Sequence, residues 1–271
     1  MIARLSFTVL LSLFLAGDSS AGETLPKEQI HTLFSQSNDA FRQANSVVDD
    51  AGKADALYEK AILGYEKIIR EGRIENPKLY YNLANAYLLR DDVGMAILNY
   101  RRAEKLDKSD SNIQKNLAFA RSRRIDKVEP KTETRILHTL AFWHYDFSMK
   151  TKLIISCICF AVFCLTLTAA IWLAPSTTLT VIMAVAVVGL ICFAGSLSVE
   201  SYNRATSFSG VIVSPEVVAY QGDGRNYPPS FKEPLHAGME FELIERRLRW
   251  FHIKLADDSD GWIPQSAAEL I

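Results

Sequence analysis

The chain lacks any net charge to speak of. Its 271 residues carry 30 Lys and Arg against 31 Asp and Glu, a formal net charge of −1. Nucleic-acid binders gather a basic excess on one face, so this balance gives no ground for that class. Cysteine is scarce and badly placed for a scaffold. The four residues, Cys157, Cys159, Cys164 and Cys192, all lie inside apolar runs. No disulfide framework is therefore available to the rest of the chain. Cys157-x-Cys159 has the wrong spacing and setting for zinc, and the four read as small packing residues. Catalytic signatures are missing too. There is no nucleophile elbow, phosphate-binding loop, zinc motif or triad. On this reading the chain is no enzyme and needs neither cofactor nor metal.

Charge vanishes altogether from residues 153–174 and 179–199. At ~1.5 Å per residue each run is long enough for a ~30 Å hydrocarbon core. Pro175-Ser176-Thr177-Thr178 leaves room only for a tight turn at 175–178. Spans at 151–174 and 179–199 then form a hairpin with both flanks on one side. Nothing ionisable lies within the runs, so a proton or ion path has no support.

The first residues, "MIARLSFTVLLSLFLAGDSSAGE", place Arg4 before an apolar stretch too short to span a bilayer. Ser19-x-Ala21 then offers a cleavage site. This is the pattern of a secretory signal peptide over 1–21, with an uncleaved anchor or a buried core helix as the alternatives. Either signal reading, cleaved or anchored, puts the following chain outside the cytoplasm. The positive-inside rule objects, because Lys150 and Lys152 flank the hairpin while its turn carries no Lys or Arg. The leader acts first, so an inner-membrane, multi-pass protein with both soluble parts in the periplasm is expected.

Between leader and hairpin the chain repeats itself. Asn82-Leu83-Ala84 returns as Asn116-Leu117-Ala118, 34 residues on. Tyr80, Leu83, Ala84 and Tyr87 share one helical face. Asp91 and Asp92 interrupt it, and Ala96, Tyr100 and Ala103 line a second helix. Ala61, Tyr65 and Ile68 take the same roles upstream, after a first helix through Phe34, Asn38 and Phe41. These residues resemble the tetratricopeptide repeat, whose period is 34, with Lys108 where that pattern has proline. The resemblance implies a helical repeat array over 22–125, capped by the helix at 111–124. It also implies a protein-binding surface of Tyr81, Asn85, Leu88, Lys115 and Phe119, unless these are merely solvated or covered by a neighbouring helix. Paired Asn85 and Asn116 suit a carboxylate clamp, but Tyr81 occupies the position of its first lysine.

Residues 126–150 read as a linker. Within it, Ile136, Leu137, Leu140 and Trp143 make an apolar stripe, followed by Tyr145 and Phe147. Residues 134–148 are expected to lie as an amphipathic helix at the membrane interface, or else to pack on the array. His138 and His144 read as interfacial polar groups.

After Glu200 the period changes. Phe241 and Leu243 alternate, as do Phe251, Ile253 and Leu255, between Gly-, Pro- and Asp-rich breaks. The Val-rich opening, "LHAGMEFELIE", Trp250, and Gly261-Trp262-Ile263-Pro264 resemble the bacterial SH3 (SH3b) family. That implies a small all-β barrel over 200–271. "AYQGDGRNYPPS" replaces the family's arginine-bearing segment, which puts its ligand groove in doubt. Trp250 and Trp262 either stack on a ligand or close a small core.

The expected fold is thus multi-domain: an all-α tetratricopeptide array, a two-helix transmembrane hairpin and an SH3-like barrel. Their order resembles the BatE-like proteins of the Bacteroides aerotolerance group. That resemblance implies a non-enzymatic scaffold in envelope stress or aerotolerance, with von Willebrand A-domain membrane proteins as partners. The alternative is an adaptor that binds peptidoglycan.

Overall fold

In the computed structural model the described residues are 24–47, 49–128, 141–172, 176–206 and 208–271. The expected leader at 1–21 and the first part of the expected interfacial helix lie outside them.

Among the described residues five helices come first: α1 Lys27–Ser46, α2 Ala51–Gly72, α3 Pro77–Leu89, α4 Val93–Leu106 and α5 Ser111–Ser122. Asp and Asn punctuate them. Asp50, Asn76, Asp92 and Asp110 each accept a hydrogen bond from a backbone N–H of the helix they precede. Such caps satisfy donors that the first turn leaves free. Pro77 begins α3, where a missing N–H costs nothing. Ala61, Ala84, Ala96 and Ala103 are fully buried, and so are Tyr65 and Tyr100. Small and large side chains interlock in this way when helices approach closely.

A short helix, α6 Phe142–Tyr145, precedes the long pair α7 Met149–Trp172 and α8 Thr177–Thr206. Both long helices are long and apolar enough to cross a membrane, with only 11% and 6% of their most apolar windows buried. α8 continues to Thr206, past the expected end of the span at Val199, because helix continuation needs no apolar side chains. The strands are β1 Phe208–Ile212, β2 Glu216–Val217, β3 Leu235–His236, β4 Glu240–Arg247, β5 Trp250–Lys254, β6 Asp260–Pro264 and β7 Ala268–Leu270.

Three expectations about the fold need correction. The first concerns the repeat. α1 and α2 have 20 and 22 residues, α3 and α4 have 13 and 14, and α5 has 12 and stands alone. These are two unequal helical hairpins and a single helix, not a tetratricopeptide array. Any Ala-lined hairpin satisfies the residue pattern, whereas the caps set the helix lengths.

The second concerns the barrel. β1, β4, β5, β6 and β7 form one antiparallel sheet in the order β6-β5-β4-β1-β7, and β2 pairs only with β3. The edge strands β6 and β7 do not pair, so the sheet is open. Alternation assigns each side chain to a face, but it is silent on closure.

The third concerns separateness. Val211 of β1 belongs to the helical core, and Val213 and Ile271 pack against it. Gly94 of α4 lies so close that a Cβ there would be 3.1 Å from Ile212 O and 3.3 Å from Val213 Cα. Helices and sheet therefore pack into one head, in which β1 and the C-terminal Ile271 contribute to the helical core.

The interfacial helix also differs from expectation. Its described part is one turn, α6, after which Phe147 stacks on Phe193 of α8 at 5.9 Å. The aromatics there cover the end of the hairpin.

Candidate functional site

Two matching polar steps connect the hairpins. Tyr65 donates to Asn38 Oδ1 at 2.7 Å, and Asn82 Nδ2 donates to the same oxygen at 3.4 Å. One step along, Tyr100 donates to Asn85 Oδ1, which also accepts from Asn116 Nδ2 at 3.0 Å. Asn116 Nδ2 reaches Tyr81 Oη as well, at 2.9 Å. A tyrosine in the second helix of a pair thus fixes an asparagine in the first, and the next helix adds its own amide. Burial pushes the Tyr65 phenol up to about 12, with a small opposing pull from Arg42. Burial likewise pushes Tyr100 up. Both therefore stay neutral donors, which buried acceptors require.

Tyr81, Asn85 and Asn116 come together between α3 and α5, and Phe119 lies one turn beyond Asn116 on α5. Phe119 is 57% exposed, and Lys115 is exposed on the same helix. Tyr81 also packs on the ring of Tyr100 at 5.9 Å. Leu88 does not join them. It is 8% exposed and belongs to the core, because it points between the helices. Asn85 Nδ2 and Asn116 Oδ1 have no hydrogen-bond partner among the described residues. A donor and an acceptor therefore stand side by side, next to an exposed aromatic ring.

The two tryptophans have different surroundings. Trp262 is buried, stacked on His252 at 4.6 Å, with the Arg247 guanidinium over its ring at 4.8 Å. It closes the core. Trp250 is half-buried, with Tyr220 edge-on at 5.9 Å.

Two charged clusters escaped the sequence reading. One ties the sheet to the helices. Glu240 of β4 receives two hydrogen bonds from Arg121, both at 2.7 Å, and lies 3.1 Å from Arg101 and 3.3 Å from Arg124. Burial works to raise the Glu240 carboxyl, but the Arg121 hydrogen bonds and three guanidiniums outweigh it, leaving it below its ordinary 4.5. Asp126 completes the seam, accepting from the His236 backbone at 2.7 Å. The basic run Arg121–Arg124 was the available signal. Arg121 lies in the last turn of α5 and Arg123 and Arg124 just past it, and nothing in their spacing names a carboxylate of the sheet as their partner.

The other cluster lies at the hairpin's end. Lys152 is wholly buried, bonded to Glu200 and, at 2.7 Å, to His144 O. His144 Nδ1 in turn lies 2.8 Å from Ser196 Oγ. A buried lysine needs such partners. Here they pin α6, α7 and α8 together where the apolar stretch ends.

Among the described residues no group of three His, Cys, Asp or Glu is placed to hold a metal ion. No protein-family model matches the chain, and no curated protein matches it in sequence.

Proposed function

We propose that the chain is a non-enzymatic adaptor held in the membrane by α7 and α8, which presents its helical head to an extended segment of a partner protein. One observation carries this reading. Asn85 Nδ2 and Asn116 Oδ1 offer the donor and acceptor that a peptide unit's C=O and N–H require, and Phe119 beside them offers an apolar contact. Exposed aromatics are frequent binding hot spots. Lys115 adds a positive charge for an acidic neighbour in the segment.

The partner class is a membrane protein bearing a von Willebrand A domain, in envelope stress or aerotolerance. What supports this is the order of leader, helical region, apolar hairpin and strand region, which resembles the BatE-like proteins. The leader also supports a location of the head outside the cytoplasm, at a bacterial inner membrane. Peptidoglycan binding is the weaker reading. The ring that would stack on a glycan, Trp262, is covered on both faces.

The test is a photo-crosslinking residue in place of Phe119, in the full chain in its own membrane. An adduct with an A-domain protein is expected. It should disappear when Asn85→Ala and Asn116→Ala are added. An adduct that persists in that double variant defeats the proposed contact.

A further inference from the structure

The β4–β5 hairpin ends in Arg246-Arg247-Leu248-Arg249-Trp250. Leu248 is 96% exposed, the most exposed large apolar side chain among the described residues. A leucine at the tip of a hairpin flanked by arginines has no use in the core. Its place in the fold suggests one.

β1 begins at Phe208, directly after α8. β4 pairs antiparallel with it, Val211 opposite Glu240 and Phe208 opposite Leu243. β4 then runs four residues further, to Arg247, past the point where β1 begins. At ~3.3 Å per residue the tip overshoots Phe208 by ~13 Å. From Glu200 to Thr206, α8 rises ~9 Å at ~1.5 Å per residue. The tip therefore has the reach to return to the level of Glu200, where the apolar part of α8 ends. The helices dock at the opposite end of β1 and β4, on Val211, Gly238 and Glu240. One end of the sheet docks on the helices and the other adjoins the junction with α8, and Leu248 is at the latter. Phe208 and Ile244, 54% and 52% exposed, lie at that end too.

The charges there are of one main sign. Arg247 is paired, with Glu245 at 2.7 Å and Asp223 at 3.3 Å. Arg225 and Arg249 carry no ion pair among the described residues, and Arg246 only lies over the Phe251 ring at 5.8 Å. Arg225, Arg249, Leu248 and Trp250 line a cleft of about 460 Å³ whose walls bear no acid. A cleft with two free guanidiniums, an indole and a projecting leucine suits a phosphate group above acyl chain. Arginine pairs well with phosphate, and tryptophan favours the headgroup level.

We infer that the β4–β5 tip docks on anionic lipid headgroups of the membrane that α7 and α8 cross, with Leu248 inserted and Arg225 and Arg249 on the phosphates. This rests on the membrane reading above. It gives the head a second foothold and fixes its tilt.

The test uses the full chain with its four cysteines replaced by alanine and an environment-sensitive dye on Leu248→Cys. A control carries the dye on Glu75→Cys, in the loop before α3. Both are reconstituted into liposomes of neutral phosphatidylcholine, with and without phosphatidylglycerol. In anionic liposomes the dye at 248 is expected to be quenched by lipid-attached nitroxide and shielded from iodide, and the dye at 75 to show the reverse. Arg225→Gln with Arg249→Gln should weaken the lipid quenching several-fold, as should raised salt. A chain that does not co-float with liposomes overturns the membrane reading and this inference together. Co-flotation with position 248 open to iodide and silent to lipid nitroxide overturns this inference alone. So does shielding from iodide without lipid quenching, which would mean that another protein surface covers the tip.

Discussion

Glu240 shows how much one side chain can hold. Guanidiniums from α4, from α5 and from the chain just after α5 converge on it, and only 21% of it is exposed. Its carboxyl titrates below 4.5 in the folded head. A lowered folded value means that this stabilisation is fully present above the unfolded value and is lost as pH falls through the folded one. The head is therefore expected to lose stability as pH drops below 4.5. Glu240→Gln should cost about 2–3 kcal/mol at neutral pH, since it leaves buried guanidiniums without their acceptor. It should also flatten the acid limb. Thermal melts of wild type and variant between pH 3 and 7 check both points. Parallel acid limbs would remove Glu240 from the account.

At the scale of elements, the close crossing of α1 and α2 depends on Gly64. A Cβ there would lie 2.0 Å from Ser37 Oγ and 3.3 Å from Ser37 Cβ. Gly64→Val is expected to destabilise by about 1–3 kcal/mol through overpacking, despite the better helix propensity of valine. Ser37→Ala with Gly64→Ala should recover most of the loss, because the colliding hydroxyl is gone. Urea denaturation of the three proteins measures this. A Gly64→Val variant as stable as wild type would mean that the crossing is loose.

The elements themselves were largely legible in the sequence. Ala96, Tyr100 and Ala103 declared a helix face, and Phe251, Ile253 and Leu255 a strand face, because burial imposes period 3.6 or 2. Their assembly was not legible. Nothing in the spacing of Val211 says that it completes a helical core, and Glu240 meets its arginines 116 to 139 positions away in sequence. The candidate site was legible in part. Tyr81 and Asn85 are joined through Asn116, whereas Leu88 lies on the adjoining stripe of α3 and turns inward.

For the whole molecule, a shared interior has a mechanical consequence. Truncating the chain before Phe208 would strip Val211, Val213 and Ile271 from the helical core. The fragment 24–128 is therefore expected to melt below the head of the full chain, and the full head to melt in one transition. Calorimetry that resolves two independent transitions would restore separate domains. Orientation follows from the same unity. If α7 and α8 cross together, their outer ends, and hence the helices and the sheet, lie on one side of the membrane. The packing of α4 on β1 then needs no passage across it. If residues 1–21 act as the proposed leader, that side faces outward. Lys150 and Lys152 argue the other way, but more than 100 residues precede them, and domains of that size translocate largely regardless of flanking charge. Alkaline phosphatase fused after Ile271 should accordingly be active, since it needs disulfides that form outside the cytoplasm. The same enzyme inserted after Ser176 should be inactive. The opposite pair of results would put the head in the cytoplasm, and with it the partner that Phe119 is expected to meet.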